Sequence, residues 1–351
     1  MFDLAIVGAG PIGLETAILA KRAGLDYVVL EKGSVVNAIC GYPTYMTFFT
    51  TSDRLEIGGH PLVSQTDKPT RKEALEYYRR VVQNENLEVR LYTEVLEITP
   101  CTRGFELKTA SRRPGQAASP GTSDRAIESG RDEEQANDRI LARKVAVATG
   151  YYDHPKMLGV PGEDLPHVSH YYTEAHPFFR RKVTIVGAGS SAADAALDLF
   201  RGGAKVTMIH RGDDFRHSLK YWVRPNLENR VKEGSIELHL NTVVEEITPQ
   251  AVIARKEGEK LVIPSDQVFL LTGYFAPHNL ISAAGVAYDP DTLACDLDEE
   301  TFESNVPGLY LIGSAGHGNK TSDVFIENGL VHARKAMDDI VGKLKGSAVP
   351  G

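Results

Sequence analysis

Two short glycine strings carry the most legible chemistry in this chain: Gly8-Ala9-Gly10-Pro11-Ile12-Gly13 and Gly187-Ala188-Gly189-Ser190-Ser191-Ala192. In this spacing the first glycine makes a tight turn and the second lets a diphosphate lie against bare backbone. The third position must be small so that a helix can pack on the preceding strand. The N-terminus of that helix then faces an anion. Downstream of the two strings the charged residues are opposite in sign. After the first comes Glu31, whose carboxylate can accept hydrogen bonds from ribose hydroxyls, with Lys32 beside it. After the second come His210, Arg211 and Arg216. Guanidinium groups there pair with a 2′-phosphate that a carboxylate would repel. As ordinary surface residues, Arg211 and Arg216 would be solvated charges near a strand end. The contrast in sign instead predicts two different dinucleotides, FAD on the first string as the held redox carrier and NADPH on the second as the exchangeable donor.

The elements that must position these strings repeat. Leu4-Ala5-Ile6-Val7 is an apolar run without alternation, as in a parallel strand buried on both faces. A helix is predicted over 14–23, closed by Gly24, and a second strand over 26–30. The same order returns with a strand at 183–186, a helix at 191–200 and a strand at 205–209. Thr93-Glu-Val-Leu-Glu-Ile-Thr-Pro100 is echoed by Thr242-Val-Val-Glu-Glu-Ile-Thr-Pro249, and Ala148-Thr-Gly-Tyr-Tyr152 by Leu271-Thr-Gly-Tyr-Phe275. Two long copies point to two related nucleotide-binding folds rather than a solenoid. The expected class is α/β, with two Rossmann-like, three-layer ββα dinucleotide-binding domains. The NADPH domain (153–275) is inserted into a split FAD domain (1–152 and 276–351). Residues 111–139 hold almost no large apolar side chains and read as a disordered insertion between two strands.

The bulk numbers exclude several classes. With 351 residues, 42% hydrophobic and 25% charged, the chain can build two cores, and a net charge of −8 argues against nucleic acid or an anionic membrane as partner. The apolar runs are shorter than a membrane span, and the N-terminus enters its first strand without a basic leader, so a cytoplasmic location is expected. Cys40, Cys101 and Cys295 are too scattered for a disulfide framework or a metal site.

Near the C-terminus, Gly308-Leu-Tyr-Leu-Ile-Gly313-Ser314-Ala315-Gly316 is followed by Phe325-Ile326-Glu327-Asn328-Gly329. This resembles the third FAD segment of the pyridine nucleotide-disulfide oxidoreductase superfamily, with Ser314 where an aspartate is usual. The whole arrangement resembles the low-molecular-weight thioredoxin reductase class. Within it, the chain is most similar to the bacillithiol disulfide reductase family. That similarity rests on Cys40-Gly-Tyr-Pro-Thr-Tyr-Met-Thr-Phe-Phe49, Leu55-Glu-Ile-Gly58, Lys68-Pro-Thr-Arg71, His170-Tyr-Tyr172 and Leu219-Lys-Tyr-Trp-Val-Arg-Pro225. The resemblance implies FAD contacts from Gly8, Gly10, Pro11, Gly13, Glu31, Lys32, Phe49, Val95, Thr149, Gly150, Gly313, Ser314, Phe325 and Ile326. It implies NADPH contacts from Gly187, Gly189, Ser190, Ser191, Ala192, His210, Arg211 and Arg216. It further implies a homo-oligomer, a small-molecule disulfide or redox-protein acceptor, and a rotation of the NADPH domain about hinges near 150–154 and 271–275.

Two departures bear on where the electrons go. Thioredoxin reductases keep Cys-x-x-Cys just ahead of the second glycine loop, whereas this chain has His170-Tyr-Tyr-Thr-Glu-Ala-His-Pro177. Many bacillithiol disulfide reductases place a cysteine inside the first loop, and Ile12 stands there instead. Cys40 is then the candidate catalytic thiol, against the alternative of a small packed residue. His170, Tyr171 and His176 are candidates for the nicotinamide path or for structure, and Trp222 for a cleft cover or for core. An alternative function keeps the flavin and drops the thiol, passing electrons to ferredoxin or flavodoxin. A third is a redox-sensing flavoprotein.

Overall fold

The computed structural model describes residues 1–111, 138–217, 219–321 and 324–346. The chain divides into two compact units: residues 1–41, 46–154 and 274–351 form one, and residues 42–45 with 155–273 form the other. The expected insertion lies, for residues 112–137, outside the described residues.

The first unit opens with β1 (Phe2–Val7), α1 (Pro11–Arg22), β2 (Tyr27–Leu30), α2 (Asn37–Cys40) and α3 (Arg71–Asn84). It continues with β3 (Val89–Arg90), β4 (Thr93–Cys101), β5 (Gly104–Ser111) and β6 (Asp138–Val147). The second contains β7 (Val168–Ser169), β8 (Lys182–Val186), α4 (Ser190–Arg201), β9 (Lys205–Ile209), α5 (Arg224–Lys232) and β10 (Ile236–His239). Its remaining strands are β11 (Thr242–Ile247), β12 (Ala251–Lys256), β13 (Glu259–Pro264) and β14 (Gln267–Leu270). The chain then returns to the first unit with α6 (Asn279–Ser282), β15 (Leu309–Leu311) and α7 (Ile326–Gly346).

In the first unit a sheet runs in the order β3-β2-β1-β6-β5-β4, with β15 also paired to β6. β1, β2, β3, β6 and β15 are mutually parallel neighbours, so the segments after β1, β2, β6 and β15 leave the sheet at its carboxyl edge. Ligands bind at that edge in α/β sheets. β2 is buried along its whole length and β1 over Leu4–Val7, which explains their unbroken apolar sequence. α1 starts three residues before the predicted boundary. Pro11 occupies its first turn, where a missing N–H costs nothing and the fixed φ suits the helix.

The second unit repeats the plan, with parallel order β10-β9-β8-β14-β7 and a three-stranded antiparallel sheet β11-β12-β13. The sequence echo extends to fine structure. The β4/β5 pair shifts register between Val95 and Glu97, and β11/β12 shifts between Val244 and Glu246. Each unit has its own core. One gathers Ala5, Val7, Val28, Leu107, Val145 and Leu309; another gathers Ile185, Leu197, Leu199, Met208, Leu227 and Phe269. Among the described residues, no helix is long and apolar enough to cross a membrane.

Candidate cofactor sites and redox residues

The first glycine loop joins β1 to α1 at the carboxyl edge. A Cβ on Gly13 would lie 2.0 Å from the Gly8 carbonyl oxygen, so the chain itself forbids a side chain there. Gly10 is different. Its φ of −71° and ψ of 175° suit any residue, and a Cβ on it would meet no protein atom within 4 Å. Open space over bare backbone is what a diphosphate needs. The N-terminus of α1 has no side-chain cap and no acidic residue in its first turn, and the same holds for α4. By contrast, α3 satisfies its own first turn through a reciprocal cap between Thr70 and Glu73. The two helices behind the glycine loops therefore present N–H groups to an anion, whereas α3 uses its own.

Glu31 follows β2 and is buried. Its two carboxylate oxygens accept from the Ala9 N–H at 2.7 Å and the Gly33 N–H at 2.8 Å, clamping the acid against the glycine loop. Burial lifts its pKa above the ordinary value, although those two N–H donors and Lys32 pull the other way. Each oxygen keeps a lone pair for a ribose hydroxyl. Lys32 pairs with Asp153 at 2.9 Å. Thr149 and Gly150 follow β6 at the same edge, and Gly313 and Ser314 follow β15. Ser314 is buried. Phe49 and Phe325 meet edge to face at 5.4 Å, and Thr50 donates to Glu327 at 3.1 Å, so the 46–50 segment is tied to the start of α7 beside Ile326. Val95 is half-buried on β4 and packs on the first unit's core. These residues fit FAD.

In the second unit, a Cβ on Gly187 would lie 2.3 Å from the Leu271 carbonyl oxygen, and the Ala192 Cβ supplies the small third position. Ser190 and Ser191 open α4 behind Gly189. His210 follows β9, and the Arg216 N–H donates to the Ala188 carbonyl at 3.1 Å, which pins the cationic segment to the glycine loop. Burial, then Arg216 and Arg211, push the His210 pKa down. Asp213 opposes them at His210, whereas Lys156, which lies outside both glycine motifs, is lowered by burial, then Arg216 and Arg211. This gathering of positive groups fits a phosphorylated ribose.

Ile12 is half-buried and its side chain fills space beside two glycines. A Cβ on Gly313 would come within 2.6 Å of its Cδ1, and one on Gly329 within 2.4 Å. Cys40 is exposed at the end of α2, not packed. Arg71 donates from Nη2 to the Cys40 carbonyl at 2.5 Å and from Nε to that of Ile39 at 3.1 Å, and its Nη2 lies 4.0 Å from the Cys40 Sγ. The Tyr152 hydroxyl donates to the neighbouring Gly41 carbonyl at 3.0 Å, and its ring is 5.0 Å from that of Tyr274. The Thr-Gly-Tyr repeat announced both tyrosines, but not that the two copies would meet.

Several family-like strings prove to shape the first unit. The Gly58 N–H donates to buried Glu15 at 2.6 Å, which also receives Arg334 from α7 at 3.1 Å. In the second unit, His170 sits 3.4 Å from Glu163, whose carboxylate accepts the Leu158 and Gly159 N–H groups at 2.7 Å each, a structural setting. Trp222 is half exposed against Tyr221 and is not core. Among the described residues, no cluster of His, Cys, Asp and Glu is placed to hold a metal.

The chain is similar over most of its length to several known proteins. The model of the pyridine nucleotide-disulphide oxidoreductase family matches residues 5–117 and 133–313. The bacilliredoxin reductase Bdr of Bacillus subtilis is 40% identical over 93% of this chain and 94% of its own length. The structure of the bacillithiol disulfide reductase Bdr (YpdA) from Bacillus cereus superposes with a TM-score of 0.89 at 35% identity, covering 97% of this chain and 99% of that one. A ferredoxin-NADP reductase of Ignicoccus hospitalis is more distant, 26% identical over 89% of this chain and 90% of its own. With two nucleotide-binding units, a split first unit and these relatives over nearly its whole length, the chain belongs to the pyridine nucleotide-disulphide oxidoreductase family, in its bacilliredoxin reductase (YpdA-type) branch.

Proposed function

We propose that this chain is an NADPH-dependent flavoprotein reductase of a low-molecular-weight thiol disulfide, with bacillithiol disulfide as the substrate that the name of the Bacillus cereus structure indicates. The observation that carries the reading is the opposite charge at equivalent positions after the two glycine loops: Glu31 in one unit, His210, Arg211 and Arg216 in the other. The family's cofactors are FAD and NADPH; FAD, when bound, takes a hydride from NADPH and passes two electrons onward. Residues 1–152 and 276–351 hold the flavin and residues 153–275 the NADPH. Gly8, Gly10, Pro11 and Gly13 receive the flavin diphosphate, Glu31 fixes its ribose, and Thr149, Gly150, Gly313 and Ser314 line the adjoining edge. Gly187 to Ala192 receive the NADPH diphosphate. The setting is cytoplasmic and the working form a homo-oligomer, which sedimentation checks.

Electron exit centres on Cys40. Ile12 leaves the first loop without a thiol, while Cys40 is exposed with the Arg71 guanidinium beside it. In this reading the Cys40 sulfur attacks one sulfur of the substrate disulfide, forming a mixed disulfide as the S–S bond breaks and the other half leaves as a thiolate; two electrons drawn from NADPH through the flavin would then cleave the mixed disulfide and release the second thiol. Cys40→Ser is expected to leave flavin bleaching by NADPH unchanged and to lower disulfide turnover by more than about tenfold, a lower bound for the loss of a covalent nucleophile. Unchanged turnover would assign exit to the flavin directly. Reoxidation by a ferredoxin or flavodoxin but by no disulfide would overturn the substrate class.

A further inference from the structure

The cations that follow β9 are joined by one from a distant part of the chain. Lys156 lies where the chain enters the second unit, and its backbone is fixed there. Its N–H donates to the Gly273 carbonyl at 2.9 Å, and its own carbonyl accepts the Thr272 hydroxyl at 2.6 Å. Its side chain runs toward Arg216. Measured from the position a Cβ would take on Gly273, the Arg216 Nη1 lies at 3.8 Å and the Lys156 Cδ at 4.0 Å, so the two side chains converge on one spot. That spot adjoins the second glycine loop, because Arg216 is held to Ala188 and Leu271 to Val186 by backbone bonds.

Gathering like charges costs free energy. Burial, then Arg216 and then Arg211, lower the Lys156 pKa, and His210 feels the same two arginines. The two arginines therefore lie close enough to Lys156 and His210 for a phosphate at that spot to be favoured by the group as a whole. We propose that Lys156 is a specificity residue for the 2′-phosphate of the pyridine dinucleotide, closing with Arg211 and Arg216 a clamp contributed by two separate stretches of chain. The proposal rests on the NADPH reading above and deepens it. Gly273, at a φ of +100°, leaves the space in which the lysine and arginine side chains approach each other. The neighbouring diphosphate is the competing phosphate for Lys156, and it is common to NADPH and NADH.

The test is calorimetric binding to the flavin-loaded protein of two fragments, adenosine 2′,5′-bisphosphate and 5′-AMP. The first carries the 2′-phosphate and the second does not. For Lys156→Gln the Kd of the bisphosphate is expected to rise about tenfold, the loss of one charge-assisted hydrogen bond, with 5′-AMP changed by less than about twofold. Lys156→Arg is expected to recover most of the affinity, which a merely structural lysine would not require. An unchanged bisphosphate Kd overturns the proposal, and so does an equal loss for both fragments, which would move Lys156 to the shared phosphate. If the unaltered protein does not distinguish the two fragments, the NADPH reading itself falls, a failure separable from that of Lys156.

Discussion

Gly10→Val is expected to give a folded protein that purifies colourless. The backbone at Gly10 is extended and a Cβ there meets no protein atom, so the apoprotein should lose no more than about 1 kcal/mol of stability. A branched side chain at that spot nevertheless occupies the space over the α1 N-terminus, where the flavin diphosphate would lie. Losing two charge-assisted hydrogen bonds at about 1.5–3 kcal/mol each lowers flavin affinity by at least about 100-fold. The visible flavin band and a thermal unfolding curve of the purified variant measure both quantities. The neighbouring substitution Gly13→Val makes the contrast. Its Cβ would fall 2.0 Å from the Gly8 carbonyl oxygen, so that variant fails through the chain's own sterics, with or without flavin. A yellow Gly10→Val protein would show that the diphosphate does not approach this glycine.

The second large effect is a change of cofactor. Arg211→Ala with Arg216→Ala is expected to raise the KM for NADPH by about 100-fold or more, two charge-assisted contacts being lost, with the KM for NADH nearly unchanged. Arg211 and Arg216 are exposed, and both lie near enough to His210 and Lys156 to lower the pKa of each. Initial rates of flavin reduction against each nucleotide check the prediction. Equal losses for both nucleotides would mean that the arginines hold the common diphosphate or the fold.

Much of this was legible from the amino-acid sequence because the physical demands are local. A Gly8 carbonyl that leaves no room for a Cβ on Gly13 can be met only by glycine, and buried parallel strands such as β2 must be apolar on both faces. Boundaries were less legible. Pro11 looks like a helix breaker in a periodicity pattern, yet at the first turn it belongs to the helix, which is why α1 starts early. Lys156 was hidden for a different reason. It lies far along the chain from Arg216, and only the pairing of β14 with β8 brings Gly273 and the residue bonded to it beside the second glycine loop. Ile12 showed as a departure from pattern, but its packing beside Gly313 and Gly329 depends on where β15 and α7 return. Cys40 likewise stood out in the sequence as a candidate thiol, whereas its exposure and its neighbour Arg71 required the fold.

Electron transfer from NADPH through a flavin to a small disulfide is the activity we propose for this chain. Its most direct test is anaerobic stopped-flow absorbance of the flavin-loaded protein. The visible flavin band should bleach with NADPH at least about tenfold faster than with equal NADH, as expected for even one productive phosphate contact. It should return when bacillithiol disulfide is added. Equal bleaching by the two nucleotides, or a flavin that stays reduced in the presence of the disulfide, would contradict the account.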